Sequence, residues 1–326
     1  MIGAKTQIAI VGCGGAAQRH ASNLRKSERA EIAGCFDTRS EAADAFATTH
    51  ETRAFASLEA LLDANPDGVV ICTPPSTHVA IAEVVLERGI RVLCEKPLAP
   101  TTTECESLTE ARGLACAFKF RHLKGARIIR DHIATGGLGR ILAIRGSALS
   151  DISMEGKWFS DPSLSGGGVL LDNGVHLIDL CHYLVGPTET VSATIMGGKR
   201  RLAVEESAMI SMRMACGASV ELFVSWEAPA PMPPLIEIWG TQGYASLGYD
   251  YQILDSQKTC IRAEEGNGMC VWNEVITNFV GFVRNETQPM ARFEDGYSAV
   301  AVAEAAYASA VTHNWETPAQ YFSFVR

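Results

Sequence analysis

A chain of 326 residues, 47% hydrophobic and 20% charged, is long enough for two domains of roughly 100–200 residues and too apolar to be disordered. Its formal net charge of −9, with Lys199-Arg200-Arg201 as a lone basic cluster in a solvated turn, argues against a nucleic-acid partner. No apolar stretch approaches the ~20 residues of a bilayer span and the N-terminus shows no apolar signal core, so a cytoplasmic protein without membrane contact is expected.

In the first third, short apolar runs alternate with helical segments, the pattern of a parallel sheet with crossover helices. Strands are predicted at 7–11, 31–36, 68–72, 91–94 and 114–118, and helices at 17–26, 40–47, 57–62, 77–88 and 102–112. Strands so nearly free of polar residues are covered on both faces, and their count and order are those of a Rossmann fold. Between the first strand and helix stands Gly12-Cys13-Gly14-Gly15-Ala16-Ala17, a GxGxxA turn. Gly12 permits the tight turn, Gly14 lets backbone approach a pyrophosphate, and Ala17 keeps the helix close to the sheet while its first amides, from Gly15 and Ala16 on, favour phosphate. Asp37, followed by Thr38 at the end of the second strand, can accept hydrogen bonds from the adenosine ribose, which favours NAD. Arg39 can instead neutralise a 2′-phosphate, so NADP stays open, and Asp37 also reads as the acid before the next helix. After the third strand, the prolines of Cys72-Thr73-Pro74-Pro75-Ser76-Thr77-His78 stiffen a loop beside the cofactor, to which Thr73, Pro74 and His78 are assigned. His78 reads equally as a helix-start residue. Glu95-Lys96-Pro97 follows the next apolar run and sets a lysine where a strand end meets the cofactor.

Beyond 118 the pattern changes. Phe120-Arg121-His122 leads into a helix at 124–135, and longer strands follow at 141–148, 191–196, 207–215, 218–226, 235–240 and 244–248. Cys216-Gly217-Ala218 and Thr241-Gln242-Gly243 are hairpin turns. Helical stripes at Val275, Phe279, Phe282 and Val283, and at Val302, Ala306 and Ala310, close the chain with core-packing faces. Within the glycine-led segment from Gly166 to Asp179, Asp172 and His176 stand four residues apart, the spacing that turns both side chains to one helix face. The ten cysteines, among them Cys35, Cys72, Cys94, Cys116, Cys181 and Cys216, form no CxxC pair, and most are expected as buried thiols in a reducing compartment. Cys181-His182 lacks a second pair at ligand spacing, and no metal is expected.

Together the glycine turn, Thr73 to His78, Glu95-Lys96-Pro97, Gly136-Gly137-Leu138-Gly139-Arg140-Ile141, Gly167 to Asp179 and Gly240-Thr241-Gln242-Gly243 resemble the glucose-fructose oxidoreductase / inositol dehydrogenase / rhizopine catabolism (Gfo/Idh/MocA) family over essentially the whole chain. The resemblance implies a Rossmann domain at 1–119, and an α/β domain at 120–326 built on a large, mostly antiparallel open sheet. It also implies a nicotinamide cofactor and a homodimer or homotetramer. By the same carry-over Lys96, Asp172 and His176 are the catalytic group, Glu95 contacts the nicotinamide ribose, and Arg121 lies near the substrate. Members often continue the Arg121-His122 motif with a proline and carry Asn before the aromatic, whereas this chain has Phe118-Lys119-Phe120-Arg121-His122-Leu123-Lys124; the substrate pocket departs from the pattern there.

The expected activity is NAD(P)-dependent oxidation of a secondary hydroxyl of a sugar, nucleotide sugar or cyclitol, or reduction of the matching ketone. His176 would take the hydroxyl proton near neutral pH, Lys96 would stabilise the alkoxide, and Asp172 would orient the lysine or a neighbouring hydroxyl. Trp158 and Trp226 are placed at the border of a sugar-sized pocket. Two alternatives are NAD-dependent glycoside cleavage through transient oxidation and a dinucleotide-sensing regulator without turnover. The three polar groups together count against the regulator.

Overall fold

The computed structural model describes residues 4–320 apart from 110, 230–232, 250, 257–259 and 265–269. The first sheet consists of β1 (Thr6–Val11), β2 (Ala30–Phe36), β3 (Gly68–Ile71), β4 (Arg91–Cys94) and β5 (Leu114–Cys116), all parallel, in the order β2-β1-β3-β4-β5. Helices α1 (Gly15–Leu24), α2 (Ser40–His50), α3 (Leu58–Leu62), α4 (His78–Glu87) and α5 (Thr102–Cys105) belong to the connections. Ile8, Ala9, Ile10 and Val11 are all buried, which is why this part of the strand could be wholly apolar. From β1 the chain pairs with β2 on one side and β3 on the other, so a crevice opens at their carboxyl ends. Gly12, Thr73 and Glu95 each follow one of these strands and ring that crevice.

Helix α5 is shorter than the predicted 102–112. It yields to a 3₁₀ turn at Glu106–Leu108, in a stretch whose Thr and Ser side chains compete with helical hydrogen bonds. Strand β5 likewise stops before Phe118, because Lys119–His122 forms another 3₁₀ turn.

The second sheet follows α6 (Lys124–Ala134). It contains β6 (Ile141–Leu149), β7 (Thr188–Met196), β8 (Ser207–Met214), β9 (Ser219–Ser225), β10 (Ile236–Gly240), β11 (Gly243–Leu247), β12 (Tyr251–Ser256) and β13 (Cys260–Glu264). Their order is β13-β12-β11-β10-β6-β9-β8-β7, antiparallel throughout except for the parallel β6–β9 pair. The expected turns join β8 to β9 and β10 to β11. Between β6 and β7 lie α7 (Pro162–Ser165) and α8 (Val175–Val185); α9 (Cys270–Val283) and α10 (Phe293–Thr312) come last. Helices α6, α8 and α10 pack on one face of the sheet, and alternation leaves Met209 and Trp239 exposed on the other. None of the described helices is long and apolar enough to cross a membrane.

Helix α9 returns to the first sheet. Val275, Ile276, Phe279, Val280 and Phe282 share one buried core with Ile8, Ile10, Ala17, Ala21 and Val70, so the nucleotide-binding half draws on residues from both sides of the 119/120 boundary.

Candidate active site

At the end of β1, Gly12 has φ +85°, and a Cβ there would stand 2.7 Å from the Thr73 backbone nitrogen; only glycine lets the two loops approach so closely. Gly14 begins α1 with no side-chain cap, and a Cβ at Gly14 or Gly15 would meet nothing within 4 Å. Uncapped helix amides facing open space fit a dinucleotide pyrophosphate. Ala17 faces the other way, fully buried, and Ala16 is half-buried beside it. Asp37 accepts the Cys13 N–H at 2.9 Å through Oδ2 and the Arg39 N–H at 2.9 Å through Oδ1, which fixes the carboxylate at the end of β2. Thr38 and Arg39 are exposed, and the Arg39 guanidinium lies 3.7 Å from Asp37.

His78 does not face the cofactor crevice as a ligand would. It is buried, with Nδ1 2.8 Å from the Pro97 carbonyl oxygen and Nε2 2.8 Å from that of Thr73. Its work is to brace the Glu95–Pro97 turn against the Thr73 loop, and burial lowers its pKa.

Glu95 is buried beside that brace. His20 Nε2 lies 2.8 Å from its Oε1, and the Lys96 N–H donates to Oε2 at 3.2 Å. Burial pushes this carboxyl up, but His20 and Lys96 outweigh it and the net shift is downward. His20 sits on α1, so the helix that would hold the pyrophosphate also positions Glu95; no sequence signal marked this contact across 75 residues.

Lys96 Nζ donates to Asp172 Oδ1 at 2.6 Å and to the Asp172 carbonyl at 2.9 Å. Asp172 belongs to a single π-helical turn, Leu170–Gly174, that runs into α8. Its other carboxylate oxygen accepts Trp226 Nε1–H at 3.2 Å. Trp226 is 1% exposed, so it does not border a pocket as expected; it orients the aspartate from beneath. Trp158 does lie at the surface of a cleft, stacked on Phe159 at 3.7 Å, and Lys96, Pro97, Gly168 and Asp172 line the same cleft. The glycine run is a packing requirement: a Cβ on Gly168 would stand 2.0 Å from the Glu205 carbonyl oxygen. The Glu205 carboxylate accepts the N–H groups of Gly168 and Leu170 at 2.8 and 2.9 Å and the Tyr307 hydroxyl at 2.8 Å, holding the segment that carries Asp172.

His176, in the first turn of α8, is buried against Phe120 and Phe118, with ring centroids 5.1 and 6.1 Å away. Its Nδ1 is sealed from solvent without a hydrogen-bond partner among the described residues. Burial first, then the charges of Lys96 and Lys119, push its pKa well below the usual histidine range, against the near-neutral titration expected from sequence.

Arg121, expected near the substrate, is engaged within the protein instead. Its buried guanidinium donates to Asp179 at 2.7 and 2.9 Å, to Asp295 Oδ1 at 2.8 Å and to the Met290 carbonyl at 3.0 Å. These carboxylates outweigh the cost of burial and hold it charged, tying the turn after β5 to α8 and α10.

A profile described as "Oxidoreductase family, NAD-binding Rossmann fold" matches residues 6–113, and one described as "GFO/IDH/MocA C-terminal domain" matches residues 126–246. Glucose-6-phosphate 3-dehydrogenase of Bacillus subtilis is 30% identical over 55% of this chain, a match that spans 53% of that relative. 1,5-Anhydro-D-fructose reductase of Ensifer adhaerens is 25% identical over 93% of this chain and 96% of its own length. In fold, a levoglucosan dehydrogenase solved with NADH superposes with a TM-score of 0.88 over 98% of this chain and all of its own, at 22% identity.

Proposed function

Because the chain belongs to the Gfo/Idh/MocA oxidoreductases, we propose that it moves hydride between NAD and a secondary hydroxyl, or the matching ketone, of a sugar, nucleotide sugar or cyclitol. The observation that carries this reading is the Lys96–Asp172–Trp226 chain at the end of β4. A lysine ordinarily left in solvent is here aimed by a carboxylate at 2.6 Å, itself oriented from behind, beside an open dinucleotide-type turn. When bound, the nicotinamide supplies the hydride acceptor or donor. Lys96 donates a hydrogen bond to the substrate oxygen and stabilises the negative charge it gains as the C–H bond breaks. The hydroxyl proton passes to His176, neutral in its buried site; with Nδ1 sealed, Nε2 makes the exchange. The same depressed pKa makes the protonated ring a strong donor when a ketone is reduced. Asp37, held by the Cys13 amide, takes the ribose hydroxyls and sets the preference for NAD.

Two copies are proposed to associate through the sheet face that exposes Met209 and Trp239. Free cysteines, six of the eight among the described residues buried, support a cytoplasmic location.

The test is a panel of sugars, nucleotide sugars and inositols with NAD, and of their keto forms with NADH, followed by nicotinamide absorbance. Turnover of at least one substrate is expected, with a loss of about 10²–10³ or more in Lys96→Met and dinucleotide affinity retained. A regulator would turn over none of them. Undiminished turnover in Lys96→Met would return this lysine to the status of a surface charge.

A further inference from the structure

The charged groups closest to Lys96 are paired with one another. Lys96 is paired with Asp172, His20 with Glu95, and Arg121 with Asp179 and Asp295. Lys119, partly buried in the 3₁₀ turn after β5, forms no ion pair or hydrogen bond through its ammonium with any described residue. Around it is a cage of rings instead: Nζ lies 5.2 Å from the ring centre of Phe120, 5.5 Å from that of Trp272 on α9, and 6.0 Å from that of Tyr249 after β11. Phe120 also touches His176 and Tyr249, with centroids 5.1 and 5.5 Å away, so the cage and the proposed base share a wall.

Among the charges facing Lys119, Lys96 and Arg19 repel it while Glu95 and Asp172 attract it, and both carboxylates are already engaged by closer donors. Burial, then Lys96, lowers its pKa to about 8, which leaves it charged at neutral pH. Ring faces offset part of the cost of withdrawing an ammonium from water, and an anion is the acceptor that completes its coordination most strongly.

We propose that Lys119 binds an anionic group of the substrate, a carboxylate or a phosphate, so that the sugar handled here is an acidic one. The proposal rests on the oxidoreductase reading given above. Lysine suits the task as a compact charge on a flexible stem, able to meet either group.

Two measurements test it. Inorganic phosphate and acetate are titrated into the NADH-loaded protein, with tryptophan fluorescence as the readout because Trp272 lies in the cage. At least one anion should bind about tenfold or more weaker in Lys119→Asn and in Lys119→Met, and keep most of its affinity in Lys119→Arg. Separately, kcat/KM is compared for glucose, galactose and mannose with their uronates and 6-phosphates. The wild-type protein should prefer an anionic member by about tenfold or more, the class preferred identifying carboxylate or phosphate, and the preference should collapse in both neutral variants while NADH affinity holds. A preference for neutral sugars, a preference that survives both neutral variants, or a loss confined to NADH affinity would overturn the assignment. If no sugar is turned over, the oxidoreductase reading fails by itself, and unchanged anion binding in Lys119→Asn and Lys119→Met would then overturn this one on its own terms.

Discussion

Replacing Trp226 by phenylalanine removes one N–H donor from beneath Asp172 and leaves the rest of the site in place. The lost contact is a 3.2 Å hydrogen bond to a carboxylate, long for its kind and so at the lower end of the ~1.5–3 kcal/mol typical of bonds to charged groups. Trp226 is 1% exposed, and shrinking indole to phenyl leaves a void of roughly 40 Å³, worth about 1 kcal/mol at ~24 cal/mol per Å³. Urea unfolding should therefore show a loss of about 2–3 kcal/mol. Steady-state kinetics should show kcat down about tenfold, equivalent to ~1.4 kcal/mol, because Asp172 keeps Lys96 at 2.6 Å but can rotate and carry the ammonium off line. NAD affinity should not move. Combined with Asp172→Asn, the substitution should cost far less than the sum of the two single effects, since both act through one carboxylate. A variant that loses stability yet keeps kcat and kcat/KM within about twofold would make Trp226 a core residue and refute the orienting role.

The pH dependence follows from the direction of the His176 shift. The base form exists above the folded pKa, which lies well below the usual value, so sugar oxidation should show no His176 limb between about pH 6 and 8 and should fall only at lower pH. His176→Ala should lower the whole profile by about 10²–10⁴ without reshaping it there; a near-neutral limb lost in that variant would contradict the burial argument. Asp37→Ser should move the kcat/KM ratio toward NADP, with the exposed Arg39 meeting the 2′-phosphate, and a wild-type protein that already prefers NADP would show Asp37 to be only a turn residue. His78, His122 and His176 are all buried with lowered pKa values, His122 near 4, so below about pH 6.5 the unfolded chain takes up protons that the folded one refuses. Stability should fall with acid, His122 alone contributing a slope of about 1 kcal/mol per pH unit near pH 5 and the other two adding in the same direction, and urea midpoints unchanged from pH 7 to 5 would show the rings to be accessible.

The first sheet was legible because strands covered on both faces have few polar positions to blur them, as Ile8–Val11 and β3 illustrate, and because a Cβ at Gly12 would stand only 2.7 Å from the Thr73 backbone nitrogen. Strands β12 and β13 were missed: Tyr251–Ser256 and Cys260–Glu264 lie at one margin of the second sheet, and their short, polar-interrupted runs show no clean alternation. Lys96 and Asp172 could be named from their local motifs, but not that they meet, nor that Trp226 and His20 support them, since those contacts span 54 to 76 residues of sequence. Arg121 shows the same limit from the other side. Its motif marked it for substrate, and only the folded chain places Asp179 and Asp295, 58 and 174 residues on, against its guanidinium. The acidity of His176 was beyond reach for a further reason: it depends on how deeply the ring is buried and on two lysines contributed by other segments.

The return of α9 to the first core has a consequence during synthesis. The apolar surface that Val275, Phe279 and Phe282 cover is complete on the nucleotide-binding side once β5 has been made, yet the covering helix is translated only about 160 residues later. At ~5–20 residues per second, that side of the nascent chain stays uncovered for roughly 8–30 s while the whole second sheet emerges. A ribosome-bound chain stalled between residues 119 and 270 should therefore be the form that chaperones hold, and release from them should coincide with the appearance of α9.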